Sequence, residues 1–489
     1  MIELHLPWLE MAILLPAIGG LWVSRITQPD RVRIISLTIS ALSLACTLGA
    51  WLDYGWLHVI AYDHLSVHDH WDVLTRLTGQ EIFAIDELSS PLLPLVALLF
   101  FLTQLATTRG KARRFSFAWA LLGQATMLAT FSCVSPWGII AFLTVGTLPP
   151  WLELRSRQRP TRVYVLHMGL FVFLLILGWA LIDNVATGPL RTLGMVCLVV
   201  AVLIRCGAAP LHCWITDLFE HATFGNSLLF VTPMVGAYAA MRLVLPVVPD
   251  TALHTISIIS LVTALYAAGM ALVQREARRF FCFLFLSHSS LVLVGLETAT
   301  ELGLAAALLV WVSVSISLTG FGLTLRSVEA RTGRLLLTEY RGLADQIPQL
   351  AACFLLTGLA SVGFPGTSGF IATELLVEAA IDRSSLYGVI VVLAAALNGI
   401  AVLHVYFRVF TGTRHHATVS LRGRVTEQVA VLTLFVLIIA GGVMPQPGVA
   451  SRYNAASALL KLRDHQLKHP ADEPSKAHGA AHDTLPAAH

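Results

Sequence analysis

Arg205 lies in the run LIRCGAAPLHCW, where Gly207 and Pro210 interrupt an apolar helix and His212 follows directly. Asp217 and Glu220 come next, in a stretch too polar to span a membrane and too apolar to be a loop, which predicts a half helix inside the protein. His288 stands in the run LSHSSLVLVG, and Glu374 follows a second interruption made by Gly363, Pro365, Gly366 and Gly369. Ionisable groups at mid-bilayer cost several kcal/mol and mark conduction paths when they face the interior of a bundle. Histidine titrates near neutral pH and can hand a proton on, whereas arginine keeps its charge. Carbonyls freed by a helix break survive at that depth only against protein or water. Charge and break thus call for the same polar interior, and the chemistry they offer is proton or cation movement. Two plainer accounts stay open. Arg205 could snorkel to the cytoplasmic headgroups. Glu378, on the same helix face as Glu374, could lie at the outer surface beside a glycine packing contact.

The elements that must position these groups are membrane helices. The 489 residues are 56% hydrophobic and 12% charged, against about 25% charged in an ordinary soluble domain. A spanning helix needs roughly 20 mostly apolar residues. By that rule about fourteen spans are expected, near 6–24, 34–52, 89–107, 115–134, 137–153, 163–182, 191–207, 226–247, 252–272, 280–297, 301–325, 349–380, 385–409 and 427–444. Residues 1–445 form one transmembrane domain on this reading, and 446–489 are expected to be a polar, disordered external tail. One alternate set of loops holds 22 of the 32 lysines and arginines. Basic loops stay cytoplasmic, so a multi-pass protein of the inner (cytoplasmic) membrane with both termini outside is expected. The first twenty residues contain no Lys or Arg, which predicts a retained first helix rather than a cleaved signal.

The seven cysteines are scattered through apolar segments with no CxxC pair, so disulfides, iron–sulfur clusters and zinc ribbons are not expected. The external run YDHLSVHDHWD gathers Asp63, His64, His68, Asp69, His70 and Asp72, with His64 and His68 four apart as on a metal-binding helix face. Surface histidines at an interface are the plainer account, and no metal or other cofactor is expected. The lipid bilayer is an expected partner; nucleic acid is not.

Four pieces in order, FAIDELSSPLLPLVALL, RCGAAPLHCWITDLFEHATFGNSLLF, EARRFFCFLFLSHSSLVLVG and GFPGTSGFIATELL, cover roughly residues 80 to 410. Together they resemble the antiporter-like membrane subunits of respiratory complex I (its subunits L, M and N), of Mrp-type sodium/proton antiporters and of membrane-bound hydrogenases. In size the chain is most similar to subunit M or a compact homologue. The resemblance implies an all-α fold of fourteen helices with two inverted five-helix repeats, roughly spans four to eight and nine to thirteen. Helices seven and twelve would be discontinuous, and a hydrated chain of ionisable residues would cross the membrane centre. It also implies partner subunits, namely antiporter-like paralogues and a quinone-binding or large cytoplasmic chain. Electron transfer would belong to them, so no cofactor is implied here.

Departures from the family pattern bear on function. The Trp-Glu pair usual in the fifth helix is replaced in the region of Thr144, Val145 and Gly146, and Glu153 lies too near a basic loop to substitute simply. The seventh-helix lysine is Arg205, the histidine often found early in span eight is Phe230, and the E-A-P-T motif becomes Glu220, His221, Ala222 and Thr223. The leading expectation is a proton- or cation-translocating subunit of a complex-I-like assembly, with Arg205, His212, Asp217, Glu220, His288 and Glu374 along its pathway. A membrane subunit of an energy-coupled inorganic-carbon uptake complex is the second reading, and a non-conducting scaffold is the third.

Overall fold

A chain with so few charges must satisfy its backbone internally once water is excluded, and helices do so within a single segment. The computed structural model describes residues 3–60, 66–69, 82–107, 115–185, 187–296, 298–412 and 424–468. The first half runs through α1 (Trp8–Val23), α2 (Pro29–Ile60), α3 (Leu92–Leu105), α4 (Phe117–Ser132), α5 (Pro136–Gly146), α6 (Leu148–Ser156) and α7 (Arg162–Asn184). It continues with α8 (Pro189–Cys206), α9 (Cys213–His221), α10 (Phe224–Val231) and α11 (Val235–Ala239), the last passing into a π-helical turn, Ala240–Val244. The second half comprises α12 (Asp250–Val273), α13 (Ala277–Val294), α14 (Glu301–Thr332), α15 (Pro348–Ser361), α16 (Ser368–Arg383), α17 (Ser385–Phe410), α18 (Val425–Val443) and α19 (Gln446–Lys468). A short antiparallel ladder pairs β1 (Val67–His68) with β2 (Ala84–Ile85), Val67 opposite Ile85.

All fourteen stretches expected from the sequence carry helix. Among the described residues, ten helical segments are long and apolar enough to cross a membrane, while α1, α3 and α15 are shorter apolar helices. The axis of the bundle is α14, which packs against α13, α15, α16, α18 and α19. Helix α14 is buried along most of its length, with Trp311 and Phe321 fully buried beside the small hydroxyls of Ser315, Ser317 and Thr319. At the periphery α7 and α18 turn Leu166, Phe173, Leu432 and Val436 outwards.

Two kinks were not expected. The fifth stretch divides into α5 and α6 around Thr147 because Pro149 and Pro150 bring no backbone donors and start a helix better than they continue one. The eighth divides at Pro233 and Met234, whose φ is 51°. The carbonyls there are satisfied from α14: Ser315 Oγ donates to Thr232 O at 2.8 Å and Trp311 Nε1 to Pro233 O at 3.0 Å. Beyond this kink the π turn carries Arg242 to within 2.6 Å of Asp86.

The tail expected to be disordered from residue 446 is instead helical as far as Lys468. Arg452, Ala455, Ala456, Leu459 and Arg463 recur at spacings of three and four, and this buried stripe packs on α14. Arg452 donates to Glu87 O (2.6 Å) and Leu88 O (3.2 Å); Arg463 donates to Leu245 O (2.7 Å) and pairs with Asp250. The polar composition concealed the helix because two of its inward residues are arginines. Residues 469–489 lie outside the described residues, as do Asp63, His64, His70 and Asp72 of the external cluster.

Candidate functional site

The first interruption is a Schellman motif at the end of α8. Gly207 takes a left-handed φ of 76°, its N–H donates to Ile204 O at 3.1 Å, and the Ala208 N–H donates to Leu203 O at 2.9 Å. A Cβ at Gly207 would stand 2.6 Å from Ile215 Cδ1 and 2.7 Å from Leu286 Cδ2. Gly207 therefore ends the helix; Pro210, expected to open it, follows after it has closed. This leaves Arg205 in the last turn, only 6% exposed, so it does not snorkel. Its guanidinium lies over the rings of Phe230 (4.2 Å) and Trp214 (5.4 Å), and Nη2 donates to Phe230 O at 3.3 Å. Trp214 is itself held by Nε1 donating to Ile204 O at 2.9 Å. Among the described residues no carboxylate pairs with Arg205.

The second interruption repeats the first. Gly363 has a φ of 90°, its N–H donates to Ala360 O at 3.3 Å, and the Phe364 N–H donates to Leu359 O at 3.1 Å. Ser361 therefore holds the place in α15 that Arg205 holds in α8, two residues before the left-handed glycine. Its carbonyl lies 2.8 Å from His288 Nε2, while His288 Nδ1 lies 2.8 Å from Leu284 O. A neutral imidazole has one N–H and can satisfy one of these oxygens; an imidazolium satisfies both. Amide and hydroxyl groups on α12, α13, α14, α16 and α17 are bonded across the same half. Asn398 Nδ2 donates to Ser287 Oγ at 2.8 Å, Ser287 Oγ to Ala264 O at 2.9 Å, and Ser313 and Ser368 join hydroxyls at 3.1 Å.

A cavity of about 300 Å³ adjoins the first interruption. Arg205, Cys206, Trp214, Met234, Phe285 and Ser289 line it, and Ser289 is the neighbour of His288 in α13. Arg205 of α8 and Ser289 of α13, far apart in sequence, thus line one space.

Glu153 was passed over at the sequence level and proves central. It is 1% exposed. Its Oε1 accepts from Thr223 N (3.1 Å), Thr223 Oγ1 (2.7 Å) and Arg157 Nε (3.1 Å), and its Oε2 accepts from Asn226 Nδ2 (2.8 Å). The carboxylate pins the start of α10, where unpaired N–H groups favour negative charge. A second cavity, about 410 Å³, has Phe100, Trp119, Pro150, Glu153, Asn226 and Phe230 in its wall. The available signal was the Pro149–Pro150 pair, which restarts the helix just ahead of Glu153 and turns it inwards.

The remaining candidates do not join this centre. His212 is half-buried, with its ring near Tyr266 (5.6 Å) and Phe283 (5.9 Å). Asp217 pairs with His221 at 3.2 Å. Glu220 pairs with Arg334 in the loop after α14. Burial alone would raise the Glu220 carboxyl, but the hydrogen bond and charge of Arg334 outweigh it and hold the group below the ordinary carboxylate range. Glu374 and Glu378 are both exposed on α16, which corrects the placing of Glu374 in an interior relay. The fourfold spacing does put the two on one face, and that face is the outer one. Pro365 and Gly366 are exposed in the turn, whereas Gly369 is buried.

Helices broken twice around a charged interior define a class, that of polytopic ion-translocation folds with discontinuous helices. Residues 163–398 match the family described as NADH:quinone oxidoreductase/Mrp antiporter, TM. NAD(P)H-quinone oxidoreductase chain 4 of Gloeobacter violaceus is 26% identical over 450 residues, covering 84% of each chain. A chain of the Mrp complex from Dietzia sp. has the same fold, with a TM-score of 0.80 at 19% identity over 93% of this chain and 97% of that one. So does a chain of respiratory complex I from Thermus thermophilus, with a TM-score of 0.80 at 22% identity over 93% and 99%. Over residues 163–398 the chain is thus similar to this family, and it shares the fold of these Mrp and complex I membrane subunits.

Proposed function

We propose that the chain moves protons across an inner (cytoplasmic) membrane as one subunit of a complex-I-like assembly, with both termini outside. The observation that carries this reading is the cavity shared by Arg205 and Ser289, whose α13 wall belongs to the same helix as His288. His288 is the proton-holding group, since its two carbonyl neighbours suit the charged ring. Arg205 remains charged throughout and supplies a fixed field. Glu153 is the compensating anion of the first half. A rearrangement in a neighbouring subunit that shifts Arg205 changes the proton affinity of His288, because Coulomb coupling is strong where water is scarce. His212, Asp217 and Glu220 line the loop side of this route, and Glu374 belongs to an outward face available to a neighbouring subunit.

The test is driven proton uptake by proteoliposomes containing the assembled complex. Arg205→Met and His288→Leu are each expected to lower uptake by on the order of tenfold or more. Uptake that is unchanged in the double variant, with assembly intact, would make the chain a scaffold instead.

A further inference from the structure

We infer that Phe230 is a hydrophobic gate separating the Glu153 cavity from the Arg205 cavity; its place in a transport cycle rests on the proton-translocation reading above. Phe230 lines the Glu153 cavity, and Arg205, which lines the other cavity, holds its guanidinium over the Phe230 ring. One side chain therefore stands between a buried anion and a buried cation. Water and protons cross an apolar constriction poorly because the constriction dewets.

The ring is locked rather than loosely packed. Phe230 is 5% exposed, its carbonyl accepts from Arg205, and its ring is flanked by Trp214 at 5.9 Å and Tyr164 at 6.1 Å. Both neighbours are tied down, Trp214 to Ile204 O and Tyr164 to Thr147 O, the latter at 2.9 Å. Attraction between the cation and the ring face adds a hold that depends on Arg205 staying in place. The gate is thus coupled to the fixed charge: while Arg205 rests on Phe230 the two cavities are separate, and displacing it frees the ring. On the Glu153 side, Arg157 reaches solvent at 31% exposure while paired to the buried carboxylate, which brings water close to that cavity.

The test uses the full chain in proteoliposomes with Ser289→Cys as a reporter in the Arg205 cavity. A small cationic thiol reagent is added and modification is read site by site by mass spectrometry, with the exposed native Cys213 as internal control. Phe230→Ala is expected to speed modification at position 289 on the order of tenfold, a barrier change of about 1.4 kcal/mol, with Cys213 unaffected. Phe230→Trp is expected to keep the site closed. Should Phe230→Ala fail to fold, Phe230→Leu takes its place and gives a smaller rise. An unchanged rate in a folded variant overturns the gate. The labelling needs no driving force, so the two readings fail separately. Absent driven uptake with an opened site 289 leaves the gate standing and removes the transport role; normal uptake with site 289 closed in Phe230→Ala does the reverse.

Discussion

The two interrupted helices share one backbone solution and fill it with different chemistry. Both end in a Schellman motif closed by a left-handed glycine, Gly207 in one and Gly363 in the other. Two residues before that glycine the first helix places Arg205, a permanent cation, and the second places Ser361, whose carbonyl faces His288. The first half thus buries Arg205 and the fully hydrogen-bonded Glu153, while beside the second break lies the His288 ring between two backbone carbonyls. The same backbone break thus stands beside a buried cation in one half and beside a histidine–carbonyl contact in the other.

That contrast can be broken at its anchor. Glu153→Ala removes an acceptor shared by Thr223, Asn226 and Arg157, and breaking a buried charged network of this kind costs about 3–5 kcal/mol. Thermal unfolding of the purified chain in detergent should show a correspondingly large drop, and a variant as stable as the parent would mean that Glu153 does not organise the first half. The two glycines sharpen the comparison at a lower magnitude. A Cβ in the left-handed region costs roughly 1–2 kcal/mol, so Gly207→Ala and Gly363→Ala should both destabilise. Gly207→Ala should be the worse, because its Cβ meets Ile215 at 2.6 Å whereas at Gly363 the nearest atom is Thr373 Oγ1 at 3.0 Å. Equal melting shifts would argue against the tighter first break. The smallest effect concerns the half-exposed Glu220–Arg334 pair, worth about 0–1 kcal/mol at neutral pH as surface pairs are. The Glu220 carboxyl is held low in the folded protein, so its contribution is present above the ordinary carboxylate range and fades as pH falls through the folded value. Glu220→Gln should therefore differ slightly from the parent at pH 7 and converge with it at acid pH; a gap that widens on acidification contradicts the pairing.

Much of this architecture was legible in the residues. Gly207 and Gly363 sit in otherwise apolar runs, and the membrane helices follow from apolar length alone. The side-chain network was less so. Glu153 looked like part of a basic loop because periodicity assumes an unbroken helix, and the restart at Pro149 and Pro150 rotates it inwards. Glu374 erred in the other direction, since a spacing of four shows that two carboxylates share a face without saying which way that face points. The stripe on α19 escaped notice because Arg452 and Arg463 take places normally given to apolar residues, a use that only their carbonyl partners on distant segments explain.

The central claim is that the first break and α13 enclose a wet space between Arg205 and Ser289. A density map resolving ordered solvent in the assembled complex tests it most directly. The account predicts water in the space between the Arg205 guanidinium and the Ser289 hydroxyl. A dry gap there, with aliphatic side chains or lipid tails closing it, would contradict the account.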